Sequence, residues 1–163
     1  MKTIQVIIET PKGSNLKYHY DERTRLFHLK KMLPAGMIFP YDFGFLPGTK
    51  GEDSDPLDVL VISEFPAFPG CVIECRLIGG FQAEQSDSDS PGKTIRNDRF
   101  FAVPELSRVY EQIADLNDLP EKLIKEIEQF FIQYNKLEKK KFRVLKKLQA
   151  KAAIKLIQQH PGR

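Results

Sequence analysis

Cysteines, long apolar runs and the common catalytic signatures are scarce or missing in this sequence, and each gap removes a class of protein. Cys71 and Cys75 are the only cysteines, and four residues of strand would hold them roughly 13 Å apart, too far for a bridge. Free thiols in a reducing compartment are expected. No run of about 18 or more apolar residues exists to span a bilayer. Met1-Lys2-Thr3-Ile4 passes directly into a strand pattern without signal-peptide character. The expectation is a cytoplasmic protein with no membrane partner. The chain lacks a P-loop, a GxSxG elbow, an HExxH helix and paired CxxC motifs, so nucleotide kinases, serine hydrolases and zinc sites lose ground. His19, His28 and His160 form no ligand spacing.

What is present fits one domain over 1–163. A chain of 163 residues with 41% hydrophobic content buries one good core and is short for two. The net charge of +3 hides an uneven distribution: Lys136 to Lys155 holds nine Lys/Arg against Glu138 alone. Such a segment could touch nucleic acid or an acidic membrane. Its lysines also alternate with Leu145, Leu148, Ala152 and Leu156, as on the wet face of an amphipathic helix, and that is the reading preferred.

The densest chemistry lies in Asp53 to Val61, DSDPLDVLV. Three carboxylates at i, i+2 and i+5 crowd a turn marked by Ser54 and Pro56, and they repel one another unless a hard cation takes them as oxygen ligands. A merely solvated acidic loop is the plain alternative. An EF-hand is a poorer one: Asp53, Asp55 and Glu64 fall at its first, third and twelfth places, but Asp58 occupies the place that needs glycine. Val59 to Ile62 is wholly apolar and β-branched in part, as a strand buried on both faces would be.

Taken in order, Ile4, Val6 and Ile8 alternate with Gln5 and Glu9 in a strand over 3–9, with Glu9 at its far end. Leu16, Tyr18 and Tyr20 line one face of a second strand, with Lys17, His19 and Asp21 on the other. Leu26 to Leu33 is a third. Met37 to Phe45, aromatic and broken by Pro40 and Gly44, suits a corner in a small barrel. Cys71 to Ile78 is a further strand; residues 82–99 read by composition as a mobile loop, and Phe100 to Val103 resumes strand. Asp118 with Glu121 forms a capping box for a helix carrying Leu123, Ile127, Phe130, Phe131, Tyr134 and Leu137. A second helix is expected over about 145–159. Strands first and helices last give an α+β fold, a small closed β-barrel with two main C-terminal helices packed outside it.

Residue by residue, DSDPLDVLV together with Glu9, Lys17-Tyr18, Met37 to Phe45, Pro69-Gly70, Ala102-Val103-Pro104, Asn117 to Pro120 and Phe130 to Tyr134 resembles the soluble inorganic pyrophosphatases of family I, over about residues 4–142. The resemblance implies that the closed barrel is five-stranded, and it implies hydrolysis of inorganic pyrophosphate to two phosphates by in-line attack of a metal-bound water, with Mg²⁺ as cofactor, in a cytoplasmic homo-oligomer. It also implies Asp53, Asp58, Asp98 and Glu9 as metal ligands and Asp55 as the acceptor of the water's proton. Lys17, Lys31, Arg99 and Tyr134 would hold phosphoryl oxygens. The chemistry is coherent from below, since a dense tetra-anion needs charge neutralised on both halves.

The chain departs from the family pattern at several positions. Lys31 stands in place of Arg, Arg99 in place of Lys, His19 in place of an acid, Phe39 and Phe43 in place of tyrosines, and Asn135 in place of Lys. Glu84-Gln85 stands where two acids are usual, Asn97 takes the usual Asp place, and Asp98 directly adjoins Arg99. Two further readings therefore stay open: a degenerate relative that binds phosphate or metal without turnover, and a nucleic-acid module working through the basic C-terminal segment.

Overall fold

A computed structural model describes residues 2–162. Nine strands, a short 3₁₀ turn and two helices run in the order β1 (Thr3–Thr10), β2 (Leu16–Asp21), β3 (Leu26–Met32), β4 (Asp42–Phe45), β5 (Asp58–Val61), β6 (Val72–Ser86), β7 (Thr94–Arg96), β8 (Arg99–Pro104), α1 (Glu121–Lys136), β9 (Phe142–Gln149) and α2 (Ala150–Gln158), with the 3₁₀ turn at Leu116–Asp118. β1 pairs antiparallel with both β4 and β6, β4 with β5, and β6 with β8, while β5 and β8 run parallel. These pairings join five strands in a ring, as the α+β barrel expectation requires. β2 and β3 form a separate two-stranded ribbon.

The apolar run after Asp58 is buried on both faces. Val59 and Val61 pack with Ile4, Val6, Leu77, Ala153 and Ile157, whereas Leu60 and Ile62 pack with Phe101, Val103, Ile127 and Phe131. α2 thus seals one core and α1 the other. α1 presents Ile124, Ile127 and Phe131 at helical spacing to the sheet. Gly79 and Gly80 sit where β6 is squeezed between β8 and β9. A Cβ at Gly79 would lie 2.4 Å from the Leu148 carbonyl oxygen, and one at Gly80 2.5 Å from that of Arg99. Only glycine permits both approaches.

Three sequence expectations need correction. Residues 82–99 are not one loop: β6 continues to Ser86 and β7 returns antiparallel to it, leaving the tip 87–93 and the two-residue link 97–98. Ala83 and Gln85 are buried while Gln82, Glu84 and Ser86 are half-buried, a period of two that composition alone conceals. The second helix begins at Ala150, because Phe142–Gln149 is a strand along the β6 arm. Phe142 and Leu148 turn inward there, and pairing with a long open edge overrides the helical propensity of the Lys-Leu run. The capping box lies one turn upstream, with Asp115 and Asp118 closing the 3₁₀ turn. α1 itself starts after Pro120 without a side-chain cap.

Candidate active site

The start of β5 is fixed by the loop before it. The Thr49 hydroxyl donates to the Leu46 carbonyl and accepts from the Leu57 N–H, while the Gly51 N–H donates to the Asp55 carbonyl. Ser54 takes φ +71°, and the Asp55 N–H donates to Asp53 Oδ1 at 3.1 Å. The chain's end clamps the same segment, with the Lys50 N–H donating to the His160 carbonyl and the Gly162 N–H to that of Gly48. The three carboxylates of the motif therefore project from a fastened turn into a cleft of about 300 Å³.

Opposite them, the same cleft receives Glu9 from the end of β1, Lys17 and His19 from β2, Phe43 from β4, Arg99 from the start of β8 and Tyr134 from α1. The parallel register sets Asp58 beside Arg99, and Arg99 Nη1 donates to Asp58 Oδ2 at 2.5 Å. The Arg99 guanidinium lies 5.3 Å from the Phe131 ring and 5.5 Å from the Phe142 ring, and it also donates to the Asn97 side-chain oxygen. Its Nε is buried without an acceptor among the described residues. Lys17 is buried as well, 3.2 Å from Glu9 Oε2 and 4.3 Å above the Phe43 ring. Phe43, which lacks the hydroxyl of the family pattern, thus supplies an aromatic face for a cation.

The charges are poised unevenly. Burial pushes Asp58 up to about 6 against the pull of Arg99 and Lys17, and burial together with the Asp55 charge raises Asp53. For Glu9 burial acts upward, but bonds from His19 and the Tyr20 N–H and the charge of Lys17 leave it below the usual range. Its hydrogen bond raises His19 in turn. Burial lowers Lys17 despite Glu9 and Asp58, and burial raises Tyr134, which stays a neutral phenol able to donate. Asp55 is exposed, and its carboxylate makes no side-chain hydrogen bond among the described residues.

Lys31 stands just behind the lining, 4.0 Å above the Tyr134 ring and 3.0 Å from Glu138. Asp98 is not part of the cleft. Its carboxylate accepts from the Ala83 N–H at 2.9 Å and is gripped by both Arg96 Nη2 bonds at 2.8 and 2.9 Å, so it faces the small pocket behind the acidic loop. Asp87, Asp89, Lys30, Glu138 and Lys140 line the cleft without having been singled out from sequence as site residues. Glu138 had a signal, being the lone acid in the basic run. Asp87 and Asp89 were masked by the polar composition of the hairpin.

A divalent ion suits these donors by chemistry, since Glu9, Asp53, Asp55, Asp58, Asp87 and Asp89 offer hard oxygen to one cleft. Two of them, Asp53 and Asp58, are half-buried carboxylates that desolvation raises, so their charge is under-compensated by the protein. Among the described residues no three acidic, imidazole or thiol groups already converge into a cage.

Comparison with known proteins points one way. The model of the inorganic pyrophosphatase family matches residues 6–162. The chain is 41% identical over 142 residues to an inorganic pyrophosphatase of Leifsonia xyli, covering 87% of this chain and 83% of that one. With its counterpart from Halalkalibacterium halodurans it shares 38% over 156 residues, 96% and 91% of the two chains. The crystal structure of the Thermus thermophilus enzyme superposes with a TM-score of 0.86 at 33% identity, covering 96% and 87%.

Proposed function

The chain belongs to the inorganic pyrophosphatase family, and from that premise we propose that the cleft between the acidic turn and Arg99 is where it hydrolyses pyrophosphate to two phosphates, with Mg²⁺ as its divalent ion. One observation carries the reading. Three carboxylates on a fastened turn face Lys17 and Arg99, both buried, across a volume suited to a small dense anion. Asp53 and Asp58, with Glu9, would hold the metal. When bound, it supplies neutralisation of phosphoryl charge and acidifies the attacking water.

The remaining work falls to side chains. Arg99 and Lys17 hold phosphoryl oxygens from below, and the unpaired Arg99 Nε offers a further donor to them. The neutral Tyr134 hydroxyl acts from the cleft wall, with Lys31 just behind its ring. Asp55, exposed and uncommitted, accepts the proton of the water as its oxygen attacks phosphorus in line. The bridging oxygen leaves with the second phosphate, whose charge the cations already compensate.

Cytoplasmic location and homo-oligomeric assembly are part of the proposal, on the strength of the family resemblance. No helix among the described residues is long and apolar enough to cross a membrane. A nucleic-acid partner is not needed to explain the basic segment. Arg143 pairs with Glu84 and Lys140 with Glu138, while Lys146 and Lys147 lie on β9, which among the described residues pairs only with β6, and lysines on such an edge strand guard against unwanted pairing. The test is release of phosphate from pyrophosphate by purified protein, with Mg²⁺ and with chelator. Release with Mg²⁺ and none with chelator is expected; no release under either condition overturns the proposal.

A further inference from the structure

Glu138 is a carboxylate placed in the wall of a site that must attract an anion. Its two oxygens are divided between two cations, Oε1 lying 3.0 Å from Lys31 Nζ and Oε2 3.5 Å from Lys140 Nζ. Lys31 Nζ is closed off from solvent and has no well-directed hydrogen bond among the described residues, so its ammonium retains donors for an anionic oxygen. It rests 4.0 Å above the ring of Tyr134, which lines the cleft together with Glu138 and Lys140. The contact joins the β2–β3 ribbon to the chain just after α1, and its partners are only half-shielded, Lys31 at 19% and Glu138 at 32% side-chain exposure.

We propose that Glu138 is a positioning residue and counter-charge for Lys31 and Lys140. It holds both ammonium groups at the wall while the cleft is empty, and it limits how tightly the cleft retains phosphate. The proposal rests on the pyrophosphatase reading and deepens it. An arriving phosphoryl oxygen competes with Glu138 for Lys31, and the carboxylate reclaims the lysine as phosphate departs. Without such a competitor, a site able to bind a tetra-anion would also hold its product, and release would become slow.

The experiment is titration of inorganic phosphate onto the wild-type chain, Glu138→Gln, Lys31→Met and the double variant, in Mg²⁺ buffer, with steady-state hydrolysis of pyrophosphate alongside. Glu138→Gln keeps size and polarity and removes one charge. It is expected to tighten phosphate by about 3- to 10-fold, the scale of a partly exposed ion pair. The KM for pyrophosphate falls with it and kcat does not rise, a gain in affinity that structural damage would not produce. In the Lys31→Met background the effect of Glu138→Gln should shrink, since the nearer of its two cations is gone and only the 3.5 Å contact with Lys140 remains. Unchanged or weaker phosphate binding in Glu138→Gln, or an undiminished effect in the Lys31→Met background, overturns the role of Glu138. A wild-type chain that binds neither phosphate nor pyrophosphate overturns the functional reading itself, a result distinct from either.

Discussion

Replacing Arg99 by methionine should lower the stability of the fold by about 3–5 kcal/mol, because the change leaves a shielded carboxylate without its partner. Arg99 is 5% exposed and Asp58 is 22% exposed at its side chain, with 2.5 Å between Nη1 and Oδ2. The charge-assisted bond contributes about 1.5–3 kcal/mol. Stacking near the Phe131 and Phe142 rings adds about 0.5–1 kcal/mol for each. Methionine refills most of the volume of the stem, so the loss is electrostatic and not a cavity. Asp58, already pushed up to about 6 by burial, rises further once its nearest cation is gone. A carboxyl raised in the folded state destabilises as pH climbs through its folded value, so the variant should be relatively more stable at pH 5.5 than at pH 8. Adding Asp58→Asn should restore most of the loss, whereas Arg99→Lys, which keeps the charge but not the fork, should cost only about 1–2 kcal/mol. Urea denaturation in metal-free buffer at both pH values reads all four proteins. A single variant within 1 kcal/mol of wild type, or a double variant no more stable than Arg99→Met, would refute this reasoning.

Three shorter expectations accompany it. Mg²⁺ should support hydrolysis well and Ca²⁺ poorly, because a tight octahedron holds the attacking water where looser coordination does not; equal rates with the two ions contradict this. Glu64 accepts from the Ser107 hydroxyl at 2.7 Å and the Arg108 N–H at 2.8 Å and is drawn down to about 2. What it adds to stability is therefore complete above the ordinary glutamate value of 4.5 and fades as pH falls toward 2. Acid unfolding of Glu64→Gln should lack that component. Phe131, 1% exposed and in ring contact with Phe43, Phe130 and Phe142, should cost about 3–5 kcal/mol on change to alanine, measurable as a lower urea midpoint with unchanged m-value.

How much could be read from the residues depended on how local their signal was. Val59 to Ile62 was legible as a doubly buried strand because a short apolar run rich in β-branched residues and bounded by turns favours a strand over a helix. The acidic turn stood out because like charges at that spacing favour a counter-ion, with a solvated loop as the plain alternative. Phe142 to Gln149 was not, since Leu145 and Leu148 fit a helical stripe as readily as a strand, and only the long unpaired arm of β6 decides between them. Gln82 to Ser86 failed for the complementary reason: its buried residues are Ala83 and Gln85, too small or too polar to announce an inward face. The burial of Lys17 has no local signal, since it depends on Glu9 and Phe43 arriving from other strands. Asp98 stood one place off the family pattern, and its bonds to Arg96 two residues earlier hold it away from the cleft.

The division of labour within the acidic turn is tested most directly by titrating the hydrolysis rate with Mg²⁺ in Asp55→Ala and Asp58→Ala. Asp58 is tied to Arg99 at the root of β5, and Asp55 stands exposed at the tip without a side-chain partner among the described residues. Loss of a metal-holding group weakens a site that excess cation refills, so Asp58→Ala should regain part of its rate as Mg²⁺ is raised. Loss of the proton acceptor should cost about 10²- to 10⁴-fold in kcat, with little recovery at any Mg²⁺ concentration. If the two variants respond alike to Mg²⁺, the turn is one undivided metal site and the proton is taken elsewhere.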